Sequence, residues 1–153
     1  MKKNQFSLAH TDEPMIELIG KTDQKTLARW AIDCAERVMP YFEQKYPNDP
    51  RPRVAIDTLK SWIKTGIFKM SVIRKASLDA HAAAKDVGED SPARSAAHAA
   101  GQAVATAHVP RHAYGPAIYA QQALFRASDL SVAKEAAKKE RDWQYQRLLK
   151  LQK

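Results

Sequence analysis

The sequence predicts an all-α protein, a single compact bundle of about six helices around a central alanine-rich helix. Three observations carry this. Apolar residues recur at the three-four spacing of amphipathic helices along most of the chain, whereas strand-like alternation and any fixed-period repeat are missing. One stretch, from Ser91 to about Val109, is alanine on nearly all sides, the composition of a central helix whose neighbours approach closely. A chain of 153 residues suits one domain.

Residues 1–21 show no sustained period and read as an N-terminal arm, with a turn at Asp12 to Pro14 before the apolar group Met15 to Ile19. Residues 22–153 read as the helical domain. Thr22 or Asp23 can cap a first long helix running to about Tyr46. Its stripe is Leu27, Trp30, Ala31, Cys34, Val38, Tyr41 and Phe42, with Lys45 the one residue out of character, and Pro40 inside it predicts a kink. The proline-dense linker YPNDPRP ends this helix. Pro52 fits the first turn of a second helix, which buries Ala55, Ile56, Leu59, Trp62 and Ile63 and stops at Gly66. A third, from about Lys69 to Val87, turns Ile73, Ala76, Ala80, Ala83, Ala84 and Val87 inward and stops at Gly88.

Ser91 then caps the alanine-rich fourth helix, with Pro92 at its first position. Its few polar residues, Ser95, His98, Gln102 and Thr106, are spaced by three, four and four and line up as one seam. Pro110 breaks this helix, and Gly115 and Pro116 turn the chain into a fifth, from about Pro116 to Ala127, anchored by Ile118, Ala120, Leu124 and Phe125. After a break at Ser128 to Ser131, a last helix capped by Ser131 runs toward Leu151. There Leu148, Leu149 and Leu151 dock, and the many charges, Glu135, Glu140 and Asp142 among them, face water.

Composition narrows the function classes. Cys34 is the single cysteine and lies on an apolar stripe, so it reads as a small buried thiol without chemistry. The N-terminal MKKNQFSLAHTDEP lacks the apolar region of a secretory signal, no stretch is long enough to span a bilayer, and a cytoplasmic location is expected. A net charge of +8 favours acidic partners, nucleic acid among them. The bases are spread over every helix, however, and no nucleic-acid-binding signature accompanies them, although Trp143 and Tyr145 amid bases would suit such a contact.

His98, His108 and His112 raise a metal or His-dependent enzyme reading. Pro110 disrupts the register that would pair His108 with His112, and no HExxH, cysteine pair or spaced acidic ligand supports it. Asp33, Glu36 or Asp57 near a histidine could do acid-base work, but Asp33 with Arg37, and Lys75 with Asp79, read first as in-helix surface pairs. A nucleophile elbow, a phosphate loop and a dinucleotide fingerprint are all missing. The expectation is therefore a protein without catalytic, metal-binding or cofactor-binding residues. Trp30 and Trp62 read as core, and Tyr114 and Tyr119, flanking the Gly-Pro turn, as exposed. Arg111, His112 and Tyr114, carried on the bend between two helices, are the candidate partner-binding residues, since Arg and Tyr are frequent interface hot spots.

Two stretches carry a resemblance: LARWAIDCAERVMPYFEQKYPNDPRPRVAIDTLKSW, from Leu27 to Trp62, and AAHAAGQAVATAHVPRHAYGPAIYAQQA, from Ala96 to Ala123. Together they resemble the immunity-protein-five-like family, small α-helical immunity proteins of bacterial polymorphic toxin systems, over about residues 25 to 150. The resemblance implies a cytosolic antidote that binds a cognate protein toxin and neutralises it by occlusion. It departs in one respect: an inhibitor of a basic nuclease would usefully be acidic, and this chain is basic. A basic helical nucleic-acid-binding protein is the alternative.

Overall fold

Eight α-helices and no strands make up Phe6 and residues 12–152, the residues described by a computed structural model of the chain. The count exceeds the expected six because two segments are helices in their own right. The first lies within the arm expected over residues 1–21, of which the part before Asp12, Phe6 apart, is outside the described residues. Helix α1 (Glu13–Gly20) starts where the Asp12 carboxylate accepts from the Met15 amide, and it sinks Met15 and Ile19 into the core.

The second arises at Pro40. The expected long helix is two, α2 (Gln24–Glu36) and α3 (Met39–Glu43), because Pro40 has no N–H to give the Glu36 carbonyl and the ladder parts at Arg37 and Val38. Tyr41 turns outward as a result and leaves the expected stripe. Asp23 caps α2 through the Thr26 amide at 2.8 Å.

Helix α4 (Arg51–Thr65) ends at Gly66, whose φ of 71° is the left-handed conformation that glycine adopts without strain. Helix α5 (Met70–Val87) ends in the same way at Gly88. Helix α6 (Pro92–Ala105) begins on the Ser91 cap and closes four residues before the expected Val109. Pro110 has no N–H for the Thr106 carbonyl, and the Gln24 side-chain amide donates to Thr106 and Ala107 carbonyls at 3.0 Å in its place. A single 3₁₀ turn, Pro110–Ala113, leads directly into α7 (Tyr114–Ala127). Gly115 and Pro116 fit inside its first turn, where no intrahelical N–H is needed. Helix α8 (Ala133–Leu151) starts from Val132 rather than from the expected Ser131 cap.

Helix α6 is central and touches α2, α3, α4, α5 and α7. Its Ala96, Ala97, Ala99, Ala100, Ala103 and Val104 are fully buried, the small side chains that allow so many neighbours. Trp30 and Trp62 are buried as expected, and so is Cys34, whose thiol burial pushes well above its ordinary pKa. Leu148 docks fully, whereas Leu149 is exposed and Leu151 half-buried.

The last helix departs most from expectation. Glu140, expected to face water, and Gln144 beside it are buried at the junction of α8 with α2 and α7. Gln144 accepts from the Trp30 indole through its carbonyl and from Gln121 through its side chain, and donates to the Ala117 carbonyl. Asp33 and Arg37 do not pair with each other: Arg37 forks onto Glu140 at 2.8–3.0 Å, and Asp33 takes Arg147 at 2.8 Å. Lys75 and Asp79 do form the expected in-helix pair. No described helix is long and apolar enough to cross a membrane.

Candidate partner-binding surface

The polar seam on α6 lies between helices. Ser95 donates to the Gln122 side chain on α7 at 2.7 Å and accepts from Arg126. His98 meets His81 of α5, Nδ1 to Nδ1 at 2.7 Å, and lies against the Tyr119 ring on its other side. Gln102 accepts from His112 Nδ1 at 3.2 Å, and Thr106 is buried. His81 was not singled out in the sequence, because a lone histidine among alanines gives no periodic signal.

Two glycines make this seam possible. A Cβ on Gly101 would come within 2.7 Å of the His81 ring, and one on Gly115 within 2.7 Å of Gln102 Cβ. The second clash is the harder to relieve, since a Cβ is fixed to its backbone whereas an imidazole can swing away. Gly115→Ala is expected to lower stability by about 1–3 kcal/mol through overpacking, and Gly101→Ala by less. Urea denaturation tests this, and a Gly115→Ala protein as stable as the wild type would contradict it.

The paired imidazoles also fix a pH dependence. One Nδ1 must donate and the other accept, so the two rings cannot both be cationic imidazolium and keep the contact. Burial, reinforced by the charges of His81, Arg94 and Arg126, lowers the His98 pKa to about 4, and burial also lowers that of His81. A histidine with a depressed folded-state pKa contributes stability that is complete above its unfolded value and is lost on acidification toward the folded one. Between about pH 6.5 and pH 4 the unfolded chain takes up protons that the folded chain refuses. The melting temperature is expected to fall across this window, and less steeply for His98→Gln. Parallel pH profiles for the two proteins would contradict the assignment.

The expected contact residues separate. Arg111 is exposed on the 3₁₀ turn. His112 is half-buried on Gln102, with its pKa lowered by burial and by the neighbouring His108 and Arg111 charges. Tyr114 and Tyr119 are half-buried against the core rather than exposed, and burial raises the Tyr114 phenol above its ordinary pKa. Trp143 and Tyr145, the rings suited to nucleic acid, have the guanidinium groups of Arg37 and Arg141 over them, centred 3.7 and 4.8 Å from the ring centroids. No group of three His, Cys, Asp or Glu side chains disposed to hold a metal ion occurs among the described residues.

A different surface emerges beside the bend. After Gly66 the chain runs without regular structure to Lys69, and Ile67, Phe68, Met70, Val72 and Leu78 are left 42–65% exposed. The Phe68 ring stacks on His108, centroids 6.1 Å apart, which ties this stretch to the end of α6. Shallow grooves flank the start of α5. One, about 300 Å³, is lined by Trp62, Thr65, Ile67, Lys69 and Val72 with neighbours from α4. The other, about 160 Å³, is lined by Met70, Arg74, Ser77, Leu78, Ala105 and His108. Ile73 forms the wall between them, its side chain seated in the core. Sequence reasoning passed over these residues because it searched for buried stripes. The signal present was a set of apolar residues, Ile67, Phe68, Met70 and Val72, that fits no stripe.

No curated protein and no solved structure matches the chain. A family model described as "Imm-5 like putative immunity protein" matches residues 17–151, a span that includes the α6 seam and the exposed surface at the start of α5 and omits only the ends of the bundle. The chain belongs to the Imm-5 like immunity protein family.

Proposed function

We propose that the protein binds a cognate bacterial toxin in the cytoplasm and neutralises it by occluding a surface the toxin needs, without turnover and without a cofactor. The family match over residues 17–151 carries this reading. The structure supports it with a helical body in which His81, His98 and His112 are engaged between packed segments, and in which exposed apolar residues gather beside an interhelical bend. Arg111, His112 and Tyr114, carried on that bend, add partner contacts at its edge. The rings of Trp143 and Tyr145, already under arginines, favour a protein partner over nucleic acid.

Co-expression with the products of the reading frames adjacent to its own provides the test. The expected result is restored growth in the presence of one of them and co-purification of that product. Neither rescue nor co-purification with any adjacent product would overturn the reading.

A further inference from the structure

We infer that the face from Ile67 to Leu78 is the docking surface, and that it receives an acidic protein surface which lays apolar side chains into the two grooves beside α5. This rests on the toxin-binding reading and specifies its site and its chemistry.

Charge selects the occupant. The charged side chains lining the grooves are Lys69 and Arg74, no carboxylate lines either groove, and neither cation makes an ion pair among the described residues. The nearby Lys75 differs, being engaged by Asp79 at 2.6 Å. An approaching carboxylate would therefore find two uncommitted cations at the edge of an apolar floor, the arrangement of an interface with a dry centre and a polar rim. The same arrangement supplies a physical reason for a basic antidote: its complement is an acidic toxin surface, with steered association.

The floor is preorganised. Helix α5 is anchored from beneath by Ile73, Ala76 and Ala80, each 5% exposed or less, so the outward side chains sit on a fixed frame. Gly66 fixes the exit of α4, and His108 holds the Phe68 ring. Little conformational freedom then has to be lost on binding. Nucleic acid fits less well: the apolar floor offers phosphates nothing, the Phe68 ring already stacks on an imidazole, and Trp62 is buried. Leu130 and Val132, exposed between α7 and α8, line neither of these grooves and serve as a control.

The experiment measures binding to the purified product of the adjacent reading frame that the protein rescues, using wild type, Phe68→Asp, Leu78→Asp, a Lys69→Glu/Arg74→Glu double variant and Leu130→Asp. All substituted positions are solvent-exposed, and thermal melts verify folding. Each apolar-to-Asp change is expected to weaken binding at least tenfold, mostly through faster dissociation. The charge-reversed protein should associate at least tenfold more slowly at low salt and lose most of its salt dependence. Leu130→Asp should bind as wild type. Tight binding by Leu78→Asp and Phe68→Asp overturns the inference while leaving the toxin-binding reading intact, whereas failure of the wild type to bind any adjacent product overturns both. Tight, salt-dependent binding of the wild type to a random DNA duplex, abolished in the charge-reversed protein, overturns the inference in favour of a nucleic-acid surface.

Discussion

Arg37→Ala is expected to destabilise the protein by about 3 kcal/mol, because it strands a buried carboxylate. The Glu140 side chain is 1% exposed, and both its oxygens accept from the Arg37 guanidinium across the junction of α2 and α8. Arg37 is 39% exposed, so water can enter the space it leaves, which keeps the loss at the lower end for a broken buried pair. Its guanidinium also covers Trp143, and that contact disappears with it. The pair itself need not be stabilising relative to an apolar replacement. Arg37→Met with Glu140→Leu is therefore expected to recover most of the loss, since no charge is then left alone. Chemical denaturation of the two variants decides the matter: an Arg37→Ala protein within 1 kcal/mol of the wild type, or a double variant less stable than the single, would contradict this account.

Trp30→Ala should cost more, about 3–5 kcal/mol. Trp30 has no exposed surface and fills the space between α2 and the end of the bundle formed by α7 and α8. Its indole N–H donates to the Gln144 carbonyl at 2.9 Å, and the Gln144 side chain in turn links Gln121 to the Ala117 carbonyl. Removing the ring opens a cavity that the packed helices cannot close and loosens a buried polar chain at once. Trp30→Phe retains most of the volume and loses the hydrogen bond, so it should cost about 1–2 kcal/mol. Calorimetric melts of the pair test the ordering. An alanine variant no less stable than the phenylalanine one would show that the cavity does not dominate.

How much was legible follows from the range of each signal. Gly66, Gly88, Ser91 with Pro92, and Pro110 act on the backbone within a turn of themselves, and each marks a boundary the structure places there. The α6 seam was legible as spacing, and its burial was not, because that depends on where His81, Gln122 and His112 arrive from other segments. Glu140 and Gln144 were hidden for the same reason. Within α8 they look like two more polar residues on a charged helix, and only Arg37 and Trp30, more than a hundred positions earlier, make them interior. Ile67, Phe68, Met70 and Leu78 illustrate the converse. Apolar side chains signal burial to a periodic reading, so a surface built from them stays unseen until the fold leaves it uncovered.

The basic charge also takes on a different sense. Spread along the sequence, it pointed weakly to nucleic acid. In the fold, many cations are spent on carboxylates: Arg51 on Asp49 and Asp86, Arg53 on Glu36 and Glu43, Arg141 on Asp12. Lys69 and Arg74, two of the cations that make no ion pair among the described residues, stand beside the exposed apolar face.

Neutralisation by occlusion is the central claim, and inhibition stoichiometry tests it most directly. The toxin neutralised in co-expression is held at a fixed concentration well above the dissociation constant, and its activity is followed as purified protein is added. Occlusion predicts a linear fall that reaches zero at one equivalent and is regained when the complex is dissociated. Complete inactivation by a small fraction of an equivalent, or activity untouched at several equivalents, would contradict it.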